Sequence, residues 1–224
     1  MRILGIDTSA GISVGVSETT DTGIRLLSWQ YSGDTRRHAE DLTAMIDAAV
    51  HIAGLDGPCY LDAIAVGTGP GPFTGLRTGL VAARTLAFAL GLQLCGIGSL
   101  DVLARGILDQ VGERQDGRVA VFTDARRHEV YAAAYIAYGA DDVQVFSEPM
   151  VGAAGDFADL AREPGITVAG AGCELYPDVL PVTGHFDHRV SPLALARIAA
   201  ARGFIGDTEP RYLRRPDIQM PKNK

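Results

Sequence analysis

One segment, residues 67–75, constrains this chain most, because four glycines and two prolines stand between an apolar run and a helical pattern. A phosphate-binding P-loop would end in Gly-Lys followed by Ser or Thr, but here Leu76 and Arg77 follow Gly75. The dinucleotide pattern of three spaced glycines fails too, because Pro72 or Thr74 stands at its third position. The segment therefore predicts a stiff, closely packed turn that leads from a buried strand into a helix.

Each half of the chain opens with an apolar run that ends at an aspartate, Asp7 in the first half and Asp124 in the second. Around these runs, period-two patterns predict strands and stripes three and four residues apart predict helices. We expect an α/β protein with two lobes of mixed sheet covered by helices, residues 1–108 and residues 109–224. The predicted strands are residues 3–6, 12–16, 24–31, 63–66, 92–97, 118–122, 130–138, 143–146 and 166–169. The predicted helices are residues 35–53, 74–90, 99–108, 153–161 and 192–202.

Charge is distributed unevenly along the chain. The formal net charge is −7, yet residues 210–224 hold five Lys or Arg against one Asp, so residues 1–209 carry −11. A segment with this much negative charge is poorly suited to binding nucleic acid, because contacts with phosphate groups supply most of the affinity for nucleic acid. The basic tail either touches RNA or is a solvated terminus, and the second interpretation is the more ordinary one.

A few further features indicate the cellular compartment and argue against a membrane-spanning segment. Cys59, Cys95 and Cys173 are far apart and form no CxxC pair, which indicates buried thiols in a reducing compartment. The uncharged stretch between Arg84 and Asp101 is too short to span a bilayer. We therefore expect a cytoplasmic protein without a membrane segment.

The helix predicted over residues 74–90 carries a stripe of small residues. Gly, Gly, Gly, Ala, Ala and Gly stand at positions 71, 75, 79, 83, 87 and 91. Such a stripe permits close approach of another element, either within the same chain or across a subunit interface, and this helix alone leaves both open. The preceding helix has an apolar stripe that includes Met45, an adaptable residue at binding surfaces, and this favours an interface.

The residues alone yield no catalytic constellation. The Asp7-Thr8-Ser9 segment suits either a hydrated metal or a plain turn that leaves a strand, and the turn is the more ordinary interpretation. His185 and His188 have the spacing of a metal pair, but no third ligand stands nearby.

Five segments resemble the TsaB family, whose members take part in forming threonylcarbamoyladenosine on transfer RNA. They span nearly the whole chain, and two positions, Pro72 and His128, depart from the usual family pattern. The segments are residues 3–9, 38–42, 69–77, 124–131 and 210–214.

The resemblance implies an actin-like ATPase fold, of the ribonuclease H-like class, and homology to TsaD, the catalytic subunit. TsaD proteins bind a metal through a His-x-x-x-His helix, and the corresponding positions here are Ser99 and Leu103. A third, aspartate ligand would fall near residues 190–192, where no carboxylate stands. We therefore expect a non-catalytic subunit with no metal, cofactor or catalytic residue of its own.

The resemblance also implies the partners. We expect a direct heterodimer with TsaD, TsaE in the full complex, a homodimer when TsaD is absent, and only indirect contact with tRNA. On this view, Gly79→Leu abolishes the complex and leaves a folded monomer. Two alternatives stay open: an active ATP-dependent enzyme of the same fold that uses Asp7 and Asp124, and an interaction protein with a different client. The predicted interface residues are His38, Leu42, Met45, Ile46, Gly75, Gly79 and Ala83.

Overall fold

A five-stranded mixed sheet forms the centre of the N-terminal lobe. The computed structural model describes residues 1–34, 38–112 and 117–214, without the side chains of His38 and Ala39. The strands lie in the order β3-β2-β1-β4-β5, with β1, β2 and β3 antiparallel and β4 and β5 parallel to β1. Their bounds are β1 Arg2–Asp7, β2 Ile12–Thr20, β3 Gly23–Ser32, β4 Ala63–Gly67 and β5 Gln93–Ile97.

Helices cover both faces of this sheet. On one face α1 (His38–Ile52) and α2 (Phe73–Leu90) pack against strand residues such as Leu4 and Ile64. On the other face Ile3 and Ala65 pack against α6 (Pro192–Ala201). Because alternate strand residues point to opposite faces, a sheet buried on both sides needs continuous apolar runs, as β1 and β4 have.

The C-terminal lobe is built on a second mixed sheet, in the order β8-β7-β6-β9. Helix α3 (Ser99–Val111) covers one face of this sheet. Helices α4 (Ala158–Ala161) and α5 (Ala171–Leu175) pack on the opposite face. The strands are β6 Arg118–Asp124, β7 Glu129–Tyr138, β8 Asp142–Ala153 and β9 Thr167–Ala169.

The two-lobed fold confirms the predicted class, and the first sheet has the ribonuclease H-like strand order. Three details differ from the sequence-based prediction. Strand β8 runs seven residues beyond residue 146, α5 had no predicted counterpart, and the helix expected over residues 153–161 divides into a 3-10 turn (Ala154–Phe157) and α4. Each is a short or edge element with few buried residues, so its apolar pattern is weak.

Helix α6 does not pack as the boundary at residue 108 implies. It belongs by sequence to residues 109–224, yet Pro192 lies against Gly5 and Gly15 of the N-terminal sheet. The absence of side chains at both glycines lets the helix approach the strands closely. The chain therefore returns to the N-terminal lobe after completing the second sheet.

Among the residues that the structure describes, no helix is long and apolar enough to cross a membrane. All three cysteines are free thiols, with Cys95 and Cys173 buried and Cys59 exposed.

Candidate functional site

The side chain of Asp7, at the end of β1, is enclosed by its own chain. Oδ1 accepts hydrogen bonds from the Ser9 amide at 2.8 Å and the Ser9 hydroxyl at 2.6 Å. Oδ2 accepts one from the Ser99 hydroxyl at 2.5 Å, and only 2% of the residue is exposed. Because a carboxylate accepts about four hydrogen bonds, most of its capacity is used internally. This arrangement is the turn at a strand end, the more ordinary of the two interpretations.

Ser99 and Leu103 occupy the positions where the resemblance places two histidine ligands. The Ser99 hydroxyl also accepts a hydrogen bond from the Gly69 amide at 3.0 Å, so it joins the glycine-rich segment to β1. Leu103 is buried in the apolar core beneath α3. A hydrocarbon side chain cannot ligate a metal, so the residues present do not fit the metal site of a TsaD protein.

The other acidic and imidazole groups of the described residues do not supply a replacement. Asp124 accepts a hydrogen bond from the Arg126 amide at 2.7 Å and holds its own turn. His188 lies 3.7 Å from Glu174, with His185 on the same loop. Within residues 1–34, 38–112 and 117–214, no three His, Cys, Asp or Glu side chains come together as metal ligands.

The small-residue stripe of α2 packs inside the chain. Gly75, Gly79 and Ala83 are buried, and a Cβ atom at Gly79 would overlap the Thr8 hydroxyl. Leu42 of α1 is buried in the same core. These four predicted interface residues are therefore buried within the single chain, and at Gly79 the stripe packs against Thr8; the interface itself stays a prediction. Gly79→Leu is consequently expected to disrupt the fold rather than spare it.

The remaining predicted residues differ in position. Met45 and Ile46 are partly buried at the edge of the core, where part of each side chain faces out. His38 begins α1, and its side chain lies outside the described part of the chain.

Sequence reasoning missed the exposed apolar residues of the same two helices. Phe88 is 91% exposed, Val81 60% and Ile52 59%. Val81 and Phe88 are seven residues apart, as are Met45 and Ile52, and two helical turns bring such pairs to one side of a helix. The seven-residue spacing within each pair is the sequence signal that could have identified these exposed residues. We use the name α1–α2 surface for the outward-facing apolar side chains of the two helices: Met45, Ile52, Val81 and Phe88.

A shallow groove of about 530 Å³ lies between the two helices, and Leu42, Phe73, Arg77 and Val81 line it. The Arg77 guanidinium lies 3.6 Å from the centre of the Phe73 ring, which closes one end with a cation–π contact. An apolar groove beside exposed apolar side chains is typical of a surface that binds another protein.

Comparison with known proteins places the chain in a family. The sequence model of the family described as "TsaD: tRNA N6-adenosine threonylcarbamoyltransferase" matches residues 33–172. An uncharacterized protein of Mycobacterium tuberculosis is 36% identical over 97% of this chain and 93% of its own length. The Escherichia coli protein named tRNA threonylcarbamoyladenosine biosynthesis protein TsaB is 31% identical over 60% of this chain and 55% of its own length.

A solved structure extends the likeness to the whole fold. A Pseudomonas aeruginosa protein, described as similar to peptidase YeaZ, superposes with a TM-score of 0.75 at 30% identity, covering 95% of this chain and 99% of that one. Since the family match covers more than half of the residues and this structural match nearly all, the chain belongs to the TsaD family, in which it stands with the TsaB proteins, also called YeaZ.

Proposed function

We propose that this chain is a non-catalytic subunit that binds and activates a TsaD-type enzyme in the cytoplasm. The complex would attach a threonylcarbamoyl group to adenosine in tRNA, next to the anticodon. One observation carries the proposal: in a chain of the TsaD family, helices α1 and α2 carry exposed apolar side chains, while the metal-ligand positions hold Ser99 and Leu103.

The chemistry of the first strand end supports the non-catalytic half of the proposal. Asp7 serves as an acceptor for Ser9 and Ser99, and Leu103 belongs to the core. Restoring a metal would require replacing both residues of α3, one of which fills apolar space. On this proposal, the partner catalyses the transfer of the threonylcarbamoyl group.

The α1–α2 surface supports the binding half. An exposed phenylalanine such as Phe88 is worth about 2 kcal/mol when it is removed from water, and large apolar anchors dominate stable interfaces. Val81 and Phe88 on α2, with Met45 and Ile52 on α1, supply several such anchors together. A partner presenting two apolar helices would complete a helical bundle with them.

The direct test is a binding measurement between the purified chain and the TsaD protein of the same organism. Val81→Asp places a charge on the α1–α2 surface, and we expect it to weaken binding about 100-fold, because a buried unpaired carboxylate costs several kcal/mol. The side chain is 60% exposed, so the variant is expected to fold normally.

A matched control exists in the other lobe. Leu175 on α5 is also an exposed aliphatic residue, at 53%, and Leu175→Asp makes a similar change of charge and size. We expect this control to bind the partner like the unchanged chain. If Val81→Asp and Leu175→Asp bind with equal affinity, the α1–α2 surface is not the interface.

Activity measurements separate this role from that of an enzyme. We expect the chain alone to transfer no threonylcarbamoyl group and to hydrolyse no ATP, with or without added divalent metal, and to raise the activity of its partner. Turnover by the isolated chain would favour the alternative of an active ATP-dependent enzyme.

In the absence of the partner, we expect the α1–α2 surface to form a homodimer, which Val81→Asp converts to monomer in a sedimentation experiment. TsaE is expected only in the complete assembly.

A further inference from the structure

At one end of the groove between α1 and α2, an arginine stands on the rim. Arg77 is exposed, and the apolar side chains of Leu42, Phe73 and Val81 line the groove beside it. Arg77 and Val81 are four residues apart on α2, so they are neighbours on one side of the helix, with about 6 Å between their Cβ atoms. A molecule that enters the groove therefore meets an apolar lining and a positive charge one helical turn apart.

The guanidinium of Arg77 is held in a fixed position. It lies 3.6 Å from the centre of the Phe73 ring, and Nε donates a hydrogen bond to the Tyr212 hydroxyl at 2.9 Å. The Tyr212 ring in turn stacks on Phe73, with 4.7 Å between their centres. An exposed arginine normally loses much side-chain freedom when it binds a ligand, and here the fold has already restricted that freedom. Arg77 is thus preorganised for binding.

Most of the hydrogen-bonding capacity of this guanidinium is not used by the described residues. Within residues 1–34, 38–112 and 117–214, the side chain donates only to Tyr212, and no Asp or Glu forms an ion pair with it. Because a guanidinium presents N–H donors on more than one edge, the edge formed by Nη1 and Nη2 is left for a ligand. Arg84, about two turns further along α2, differs, because it is already paired with Glu209 at 2.8 Å.

We propose that Arg77 binds a carboxylate of the partner protein, on a helix whose large apolar side chain enters the groove one turn away. The inference rests on the proposed function, because it names the chemistry of the partner at the α1–α2 surface. The Nη1–Nη2 edge matches the two oxygens of a carboxylate, and such pairs are stronger and more directional than those of lysine. An oriented cation beside an apolar groove suits an amphipathic helix that carries an acidic residue.

The pair gives the interface a specificity that apolar contacts lack. Apolar side chains supply much of the affinity of a helical interface, but they do not by themselves fix how far one helix is shifted along another. A shift by one turn would separate Arg77 from its carboxylate and leave the carboxylate unpaired. Arg77 therefore sets the register of the partner helix on α2.

The first test measures the affinity of the full chain for the TsaD protein of the same organism, at about 50 mM and about 500 mM salt. For Arg77→Gln we expect the affinity to fall about tenfold or more at the lower salt, because a charged hydrogen bond is lost, and the difference to shrink at the higher salt. Arg77→Lys keeps the charge without the planar fork and is expected to retain part of the affinity. The control Arg25→Gln removes an exposed arginine from β3 and is expected to bind like the unchanged chain.

A charge-reversal experiment separates direct pairing from a structural effect through Tyr212. Arg77→Glu is combined with partner variants that each carry Lys in place of one exposed Asp or Glu, and we expect one of them to restore binding. The inference is overturned if Arg77→Gln and Arg25→Gln bind equally well, or if no partner variant restores binding to Arg77→Glu.

The variants also distinguish failure of this inference from failure of the proposed function. Weakened binding of Val81→Asp together with normal binding of Arg77→Gln would overturn the inference and leave the proposed function intact. Failure of the unchanged chain to bind the TsaD protein would overturn both.

Discussion

Gly79 lies where α2 comes closest to the end of β1. Its hydrogen faces the Thr8 hydroxyl, which is buried without a hydrogen-bond partner among the described residues. A helix normally gains stability when glycine is replaced by alanine, because the unfolded chain loses freedom. At this position the added methyl group has no room, so the local sequence preference is overridden by tertiary packing.

We expect Gly79→Ala to lower the free energy of unfolding by about 1–3 kcal/mol, because the new Cβ overlaps Thr8 and forces the helix outward. Gly106 in α3 is the matched comparison, since a Cβ there would lie 3.8 Å from the Ser191 Cβ, an ordinary contact. Gly106→Ala is expected to raise stability by about 0.5–1 kcal/mol. Denaturant titration measures both, and a stabilised Gly79→Ala would contradict the packing described for the stripe.

At the level of elements, the sequence predicted most strands and helices within a few residues, because their apolar periods are long and consistent. It did not predict what the α2 stripe packs against, since small residues permit close approach by either a strand or another subunit. It also gave no indication that residues 207–214 form a strap along α2. Their contacts are specific but polar: Arg84 donates to Thr208 and Glu209, and the Arg211 amide donates to the Thr68 carbonyl at 2.8 Å.

Tyr212 anchors this strap through its stack on Phe73 and its contact with Arg77. We expect Tyr212→Ala to release the strap, so that hydrogen exchange at the Arg211 amide becomes about tenfold faster, since an aromatic stack contributes about 0.5–1.5 kcal/mol. Tyr138 on β7 is mostly exposed, and Tyr138→Ala should leave the exchange rate unchanged. Equal protection of Arg211 in all three proteins would mean that the Tyr212 stack does not hold the strap in place.

For the whole molecule, a buried ionic network joins the lobes. Asp101 of α3 accepts hydrogen bonds from the Tyr135 hydroxyl at 2.9 Å and from Arg202 at 3.1 Å, and Arg202 also pairs with Asp142 at 2.7 Å. Burial, together with the charge of Asp101, raises the pKa of Tyr135 well above its usual range, so this hydroxyl stays a donor. The network links the end of α6, which packs on the N-terminal sheet, to two strands of the C-terminal sheet.

Arg202→Met should lower the free energy of unfolding by about 2–3 kcal/mol, because Asp101 would remain buried with one charged partner fewer. Arg25 forms an exposed pair with Glu18, and Arg25→Met is expected to lower the free energy of unfolding much less, because solvent screens the pair. Thermal and denaturant unfolding of the two variants compare these values. A loss no greater in Arg202→Met than in Arg25→Met would show that the Asp101–Arg202–Asp142 network adds no more stability than an exposed ion pair.

The strap and the residue before it, Gly206, also cover an edge of the N-terminal sheet and so bear on aggregation. Strand β5 is the last strand of its sheet, and its outer side would offer free amides and carbonyls to any extended chain. The residues after α6 fill that position: the Gly96 amide donates to the Gly206 carbonyl at 3.4 Å, and Asp207 lies directly against Gly96. In a chain shortened before residue 206, the edge of β5 would be free to pair with strands of other molecules. We therefore expect the final described segment to protect the protein against aggregation.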